Sequence, residues 1–430
     1  MSDLHDLCKF SSRPITQKAV DDLKYYLKAG IPATYTIEEA YNYMNGIEEG
    51  GATTTTTPLH LIATHVPKDL SEEEMKIVND MVTILFEYGA GWCLTDVNND
   101  TPGCIFINRG MKDTPLYDQI VDAGVRAELL LRKVSEFDME VLSDEEALEL
   151  AARQEEAGEN AAEEDTEETS ETKDVAVTQE AEKEAETTEL NDTSDPSFNQ
   201  KAYLESKLQY KDDALVTEEG KDGVMMSWET DLMKLGSDSL FKKAEDPKDT
   251  NILNIGFGMG IIDGMINAKN PTKHYICEAH PDVLAKMKAD GWYSKPNVVI
   301  LEGRWQELLN HLLSSGLVYF DGIYYDTFSE HYQDMLELFD FVVGLLKPTG
   351  VFSFFNGLGA DRQVIYEVYK KLVEIDLGNY GLKTEFKEVE VPQETMKKGD
   401  AKDESVWDEI RRPYWLCPVY YHPEATFHDI

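Results

Sequence analysis

Apolar runs of strand length alternate with helix-spaced segments through the C-terminal half of the chain. The runs are NILNIGF (from Asn251), HYICEA (from His274), NVVILEG (from Asn297), FDGIYYD (from Phe320) and GVFSFFN (from Gly350). Between them lie GIIDGMINA, PDVLAKMKADGW, WQELLNHLLSSG and DMLELFDFVVGLLKPTG, whose apolar positions recur every three or four residues. Runs without polar alternation suit strands buried on both faces. Strand–helix alternation of this kind predicts an α/β fold with a parallel sheet covered by helices on both sides. In such sheets ligands sit beyond the carboxyl ends of the strands, where the strand order reverses. The stretch LLKPTGVFSFF reads as a helix, a Pro-Gly turn and a last strand.

The N-terminal part has helical spacing only. TTPLHLIATH (Thr56 to His65) offers a Pro at a helix start, with Thr and His side chains able to tie the turn. MKIVNDMVTILFEYGAG follows as a second helix ending in glycine. DVNNDTPGCIFINRG then repeats the Thr-Pro start at Thr101 and Pro102, 44 residues after Thr57. VPKDLSEEE reads as an insertion between the helices of the first unit, and AVDDLKYYLKAGIPATY and PLYDQIVDAGVRAELL as flanking half-units. The T-P-L-H-x-A pattern resembles the opening of an ankyrin repeat. His60 and His65 are then structural rather than metal ligands, and no metal is expected. Such a module would either bind a protein or cap the following domain.

Between the two parts, Glu155 to Asp195 carries 17 acids against 2 bases and no aromatic residue. It cannot bury enough apolar surface to offset its ordering entropy, so it reads as a solvated linker, preceded by a short exposed helix in DEEALELAARQEE. The expected division is an ankyrin-like helical repeat domain over 1–142, an acidic linker over 143–196 and a catalytic domain over 197–430. The formal charge of −43 argues against direct nucleic-acid binding and favours a basic protein partner. No run approaches membrane-spanning length and the N-terminus has no signal-peptide pattern. Five scattered cysteines predict reduced, buried thiols, and the expected compartment is the cytoplasm, with the nucleus left open for want of a basic import run.

The chemistry concentrates around Gly256, Gly258 and Gly260. Ile261 stands where a dinucleotide fingerprint needs its third glycine, so the turn reads as G-x-G-x-G, a spacing typical of S-adenosyl-L-methionine (AdoMet) enzymes. Glu278 ends the next strand, where an acid can bind both ribose hydroxyls. Trp305, after the third strand, can lie along adenine or belong to the core. Asp326 ends the fourth strand, where substrate would meet cofactor, and Glu229 sits in GVMMSWETDLM just ahead of this fold. Two carboxylates suit a guanidinium, which presents planar N–H pairs and is a poor nucleophile while protonated. Met225, Met226 and Met233 would wrap the cofactor or simply pack.

WETDLM, LNIGFGMG, GRWQE, FDGIYYDTF and LLKPTGV together resemble the motifs of guanidinoacetate methyltransferase. With the ankyrin-like region added, the chain resembles the fungal arginine Nδ-methyltransferases, the type IV protein arginine methyltransferases, over its whole length apart from the linker. The resemblance implies an α/β, Rossmann-like AdoMet-dependent methyltransferase domain preceded by a small all-α ankyrin-like domain. It implies methyl transfer to the internal (δ) guanidino nitrogen of arginine in a basic, ribosomal protein of the large subunit. Residue by residue, Phe257, Gly258, Met259, Gly260, Ile261 and Ile262 would cradle AdoMet. Glu278, Ala279 and His280 would hold its ribose and adenine side, and Trp305 and Gln306 would contact adenine. Met225 and Met233 match cofactor-contacting methionines, Glu229 would grip the guanidinium, and Asp326 would orient and deprotonate it. Gln306 stands where the small-molecule enzyme has an acid. Tyr210 or Tyr203 would close over the cofactor. Two other readings remain at this stage: a small-molecule guanidino methyltransferase, and a non-catalytic ankyrin scaffold that binds AdoMet.

Overall fold

The structure is a computed structural model that describes residues 3–47, 55–136, 196–197, 199–211, 213–219, 221–392, 395, 405–408, 410–411 and 413–428. The acidic linker, apart from its last residue, and the helix expected before it lie outside the described residues. The described residues of 3–125 and 196–428 form one compact unit. No helix among the described residues is long and apolar enough to cross a membrane.

The N-terminal described residues form helices α1 (Asp3–Leu7), α2 (Gln17–Lys28), α3 (Ile37–Asn45), α4 (Pro58–His65), α5 (Glu72–Glu87), α6 (Pro102–Asn108) and α7 (Pro115–Glu136). The Thr-Pro starts act as read from sequence. Thr57 caps α4, and its hydroxyl lies 2.8 Å from Nδ1 of the buried His60, while Thr101 caps α6 through the Cys104 N–H. Helix α5 begins three residues earlier than expected. Ser71 and Glu74 form a reciprocal cap, so EEE belongs to the helix rather than to the insertion.

The C-terminal part opens with α8 (Gln200–Glu205) and a small antiparallel sheet of β1 (Leu208–Tyr210), β2 (Ala214–Thr217) and β3 (Gly223–Met226), and continues into α9 (Thr230–Ser239). The main sheet then builds from β4 (Asn251–Ile255), β5 (Lys273–Glu278), β6 (Val298–Glu302), β7 (Phe320–Tyr325), β8 (Leu346–Phe354), β9 (Leu382–Glu390) and β10 (Val419–Phe427). Its order is β6-β5-β4-β7-β8-β10-β9. The first five strands are parallel, and β10 runs antiparallel to both β8 and β9. The sheet is therefore mixed rather than parallel throughout, and the order of its parallel part is the doubly wound one, reversing between β4 and β7. The expected last strand is not the last, and the Pro-Gly turn is absorbed into β8, where the pairing with β7 slips between Phe320 and Gly322.

The intervening helices are α10 (Ile261–Ala268), α11 (Pro281–Ala289), α12 (Trp305–Ser315), α13 (Tyr332–Leu345) and α14 (Gln363–Asn379). Neighbouring residues along the strands feed opposite cores. Leu253, Cys277 and Ile323 pack with α12, α13 and α14, while Ile252, Ile276 and Tyr324 pack with α9, α10 and α11. That division follows from the two-residue period of a strand and covers both faces. Of the cysteines, Cys8, Cys277 and Cys417 are buried as expected, Cys104 is half-buried, and Cys93 is exposed, which corrects the expectation there.

Helix α14 also carries the N-terminal helices. Lys112 Nζ lies 2.7 Å from the Glu367 carboxylate and donates to Tyr421 Oη at 3.2 Å. Burial alone would raise the Glu367 pKa, but bonds from Lys112 and Gln363 outweigh it and hold it low. A carboxylate with a lowered folded-state pKa contributes stability above its ordinary range and loses it as pH falls through the folded value. Lys112→Met should therefore cost about 1 kcal/mol at neutral pH, since the half-exposed lysine keeps the pair partly screened. The difference in Tm from the unaltered chain should close as Glu367 is protonated in acid. A Tm difference independent of pH would show that the pair does not tie the two parts together.

Candidate functional site

The loop between β4 and α10 lies at the reversal of strand order, beside the end of β7. Gly256 has φ of +93°, and a Cβ there would stand 1.9 Å from the carbonyl oxygen of Asp326. Gly258 has φ of +53°, with its missing Cβ 2.8 Å from Cε of Met225. Only glycine lets the turn adopt these angles while the ends of β4, β7 and β3 crowd in. The Glu278 carboxylate anchors the turn from β5. It accepts from the Phe257 N–H at 2.9 Å, from Ala279 at 2.8 Å and from His280 at 2.7 Å. Burial raises the Glu278 pKa, and these three backbone bonds oppose the rise.

A cleft opens over this turn. Gly256, Gly258, Met225, Glu278, Ala279, Trp305 and Asp326 line it, and Tyr203 closes one side. The Tyr203 ring packs against His280 and Phe328 at centroid distances of 4.8 and 4.9 Å. Trp305 lines the cleft and also belongs to the core, its indole buried edge-on against Tyr325 and Phe341. Met225 Sδ accepts the Met259 N–H at 3.2 Å.

A second cleft adjoins the first and shares Val224, Asp326, Thr327, Phe328 and Glu330 with it. Glu229 and Tyr414 line it, together with Phe355 and Leu358. A single 3₁₀ turn, Ser227–Glu229, delivers Glu229 at the start of α9. Its carboxylate accepts the Met226 N–H at 3.3 Å and the Tyr414 hydroxyl. Burial first, and then the charge of Asp326, push the Glu229 pKa well above the carboxylate range. Asp326 is pushed up to about 7, by burial and then by the charge of Asp263. Its Oδ2 is shut away from solvent without a hydrogen-bond partner. Two carboxyl groups with raised pKa values thus face one cleft, which is the arrangement expected of a site waiting for a cation.

The remaining sequence-predicted residues fall into place differently. Gly260, Ile261 and Ile262 complete the turn into the first turn of α10, with Ile262 buried in the core. His280 caps α11, and its ring Nε2 lies 3.1 Å from the Tyr203 carbonyl. Tyr210 donates to the Gly258 carbonyl at 3.0 Å from outside the cleft, so Tyr203 rather than Tyr210 is the aromatic wall. Met233 is fully buried in the core, with Tyr324 Oη 3.5 Å from its sulfur, and Gln306 sits on the first turn of α12; neither lines either cleft. Sequence reasoning missed Tyr414, 185 residues from Glu229, and Glu330, which lines both clefts.

Residues 197–409 match the model of a family described as guanidinoacetate N-methyltransferase. A protein of Debaryomyces hansenii called protein arginine N-methyltransferase 2 is 64% identical, over 100% of both chains. The protein of that name from Saccharomyces cerevisiae is 49% identical, over 99% of this chain and 100% of its own. The chain belongs to the protein arginine N-methyltransferase 2 family. Among solved structures, the O-methyltransferase TomG of Streptomyces achromogenes, in complex with SAM, is 15% identical, covers 48% of this chain and 82% of its own, and has a TM-score of 0.33. That likeness adds nothing to the strand order.

Proposed function

We propose that this methyltransferase transfers a methyl group from AdoMet to the internal (δ) guanidino nitrogen of an arginine in a basic protein, with a large-subunit ribosomal protein as the expected substrate. One observation carries the reading: the cleft over the glycine turn and the cleft holding two carboxyl groups meet at Asp326. The residues fit AdoMet on chemical grounds. The turn excludes side chains where a ligand must approach the backbone, Glu278 presents an acid at the end of β5, and Trp305 offers an aromatic edge. Gly256, Gly258, Glu278, Ala279, Met225 and Trp305 would hold the cofactor, which supplies an electrophilic methyl group when bound.

The chain's own residues then act on the guanidinium. Its pKa lies above ~12, so its nitrogens are poor nucleophiles until a proton leaves. Arrival of the cation favours ionisation of both carboxyl groups, since burial is the main cause that raises the pKa of each. Glu229, oriented by Tyr414, would grip N–H groups and localise charge on the far nitrogens. Asp326, with its unpartnered oxygen, would accept the proton as the new N–C bond forms. The choice of the δ nitrogen rests on motif likeness to the guanidinoacetate enzyme. The helical part over 1–142 is read as an ankyrin-like module, supported by the capped Thr-Pro starts of α4 and α6, followed by a linker to 196 and the catalytic domain over 197–430. The net charge of −43 supports the basic partner, and the cytoplasm or nucleus is the compartment in which such a substrate would be met.

The deciding experiment supplies labelled AdoMet and a ribosomal-protein extract, hydrolyses the product and identifies the labelled amino acid. Nδ-methylarginine is the expected result. Label on a terminal guanidino nitrogen, or only on free guanidino compounds, would overturn the acceptor assignment.

A further inference from the structure

Glu330 lies where the two clefts meet, and its carboxylate is saturated. Oε1 accepts from the Trp305 indole Nε1 at 2.8 Å and from the Gln200 carboxamide; Oε2 accepts from Thr327 Oγ1 at 2.6 Å and from the Tyr325 hydroxyl. An ionised carboxylate has about four acceptor positions, so no capacity is left for a substrate. Its four donors come from three separate parts of the site. Gln200 belongs to the segment of α8 that covers the cofactor cleft, Trp305 forms the adenine-side wall, and Tyr325 and Thr327 flank Asp326. The covering segment also packs through Tyr203 on Phe328, at a centroid distance of 4.9 Å, and is fastened on the opposite side of the cleft. There His280 Nε2 meets the Tyr203 carbonyl at 3.1 Å, and Asp282 accepts the Leu208 N–H at 3.1 Å.

We infer that Glu330 is a positioning residue that makes cofactor binding cooperative: one carboxylate sets the indole, the cover and the loop carrying Asp326, so that each is held only while the others are. The inference rests on the AdoMet-binding reading above. Carboxylate bonds of this kind are strong, because one partner is charged, and a group shared by several donors couples them.

The test is a double-mutant cycle read as the AdoMet dissociation constant, measured by equilibrium dialysis on the full chain without turnover. Gln200→Ala is expected to weaken binding about tenfold in the unaltered chain, and less than twofold when Glu330→Ala is already present. Trp305→Phe, which removes only the indole donor and some ring area, should likewise lose most of its effect on the Glu330→Ala background. If Glu330→Ala does not fold, Glu330→Gln, which keeps the side chain's size and loses its charge, takes its place in the same cycle. A simple structural role would lower Tm without this coupling. Equal effects of Gln200→Ala with and without Glu330 would overturn the inference and leave the proposed function standing. Absence of AdoMet binding by the unaltered chain would overturn both.

Discussion

Asp326→Asn is expected to lower the methylation rate by about 10²- to 10⁴-fold above neutral pH, the usual worth of a positioned proton acceptor. Asn keeps the shape and can still accept a hydrogen bond, but it cannot take the proton that must leave the guanidinium. The same residue sets the pH dependence. With its pKa at about 7, Asp326 is protonated in mild acid and competent above neutrality. In the unaltered chain kcat/KM should therefore rise with pH through about 7. In the Asn variant that limb should disappear from the residual rate. Stability should move the opposite way. Because the folded-state pKa is raised, the folded chain holds this proton more tightly than the unfolded chain between the ordinary Asp range and about 7. Stability contributed by the proton is present at the acid end and declines as pH rises through that window. Asp326→Asn removes the buried charge, so its Tm should exceed that of the unaltered chain above neutral pH. A variant that loses activity while gaining Tm separates a catalytic role from a folding defect. Full activity with an unchanged pH profile would remove Asp326 from the reaction.

The parts of the fold that sequence revealed are those where one physical demand dominates. Strands β4, β5 and β7 are buried on both faces, so their apolar runs stand out, and the glycine turn and Asp326 follow directly from where two of those runs end. Strand β9 was missed because it lies at the sheet edge, where most positions of LKTEFKEVE face solvent and resemble a charged loop. Strand β10 was missed because Pro423 interrupts it, although it pairs along its length with β9. Pro348 and Gly350 read as a turn, yet the chain absorbs them in an irregular pairing of β8. The site divides in the same way. Residues within one turn after a strand could be placed, because the topology fixes where that turn points. Met225 and Met233 lie in one motif, but a strand carries the first to the cleft and a helix carries the second into the core. Tyr414 reaches Glu229 only through the tertiary fold, from a segment without periodic pattern. Glu330 follows Asp326 closely, but its role depends on donors from α8, α12 and the end of β7, which no local spacing reveals.

Gly256→Ala should be the most damaging single-methyl addition in the cofactor half of the site. The new Cβ would stand 1.9 Å from the Asp326 carbonyl oxygen, and a backbone atom there cannot rotate away as a side chain would. Neither partner is free to retreat. The Asp326 N–H is bonded to the Ile255 carbonyl at 2.9 Å, and the Gly256 N–H to the Cys277 carbonyl at 2.9 Å, so relief means opening the β4–β7 or β4–β5 ladder. The positive φ adds strain for any residue with a Cβ. Together these place the loss at about 4 kcal/mol, at the upper end of single-residue effects. Displacing the turn would also break the Phe257–Glu278 bond that shapes the cleft, so AdoMet affinity should fall with stability. Gly264→Ala is the matched control. It lies inside α10 with nothing within 4 Å of its missing Cβ, and there alanine should stabilise by up to about 1 kcal/mol. Tm should move in opposite directions in the two variants, and AdoMet affinity should fall only in Gly256→Ala. If Gly256→Ala kept its Tm and its affinity, the turn could not be pressed against Asp326, and the junction of the two clefts would have to lie elsewhere.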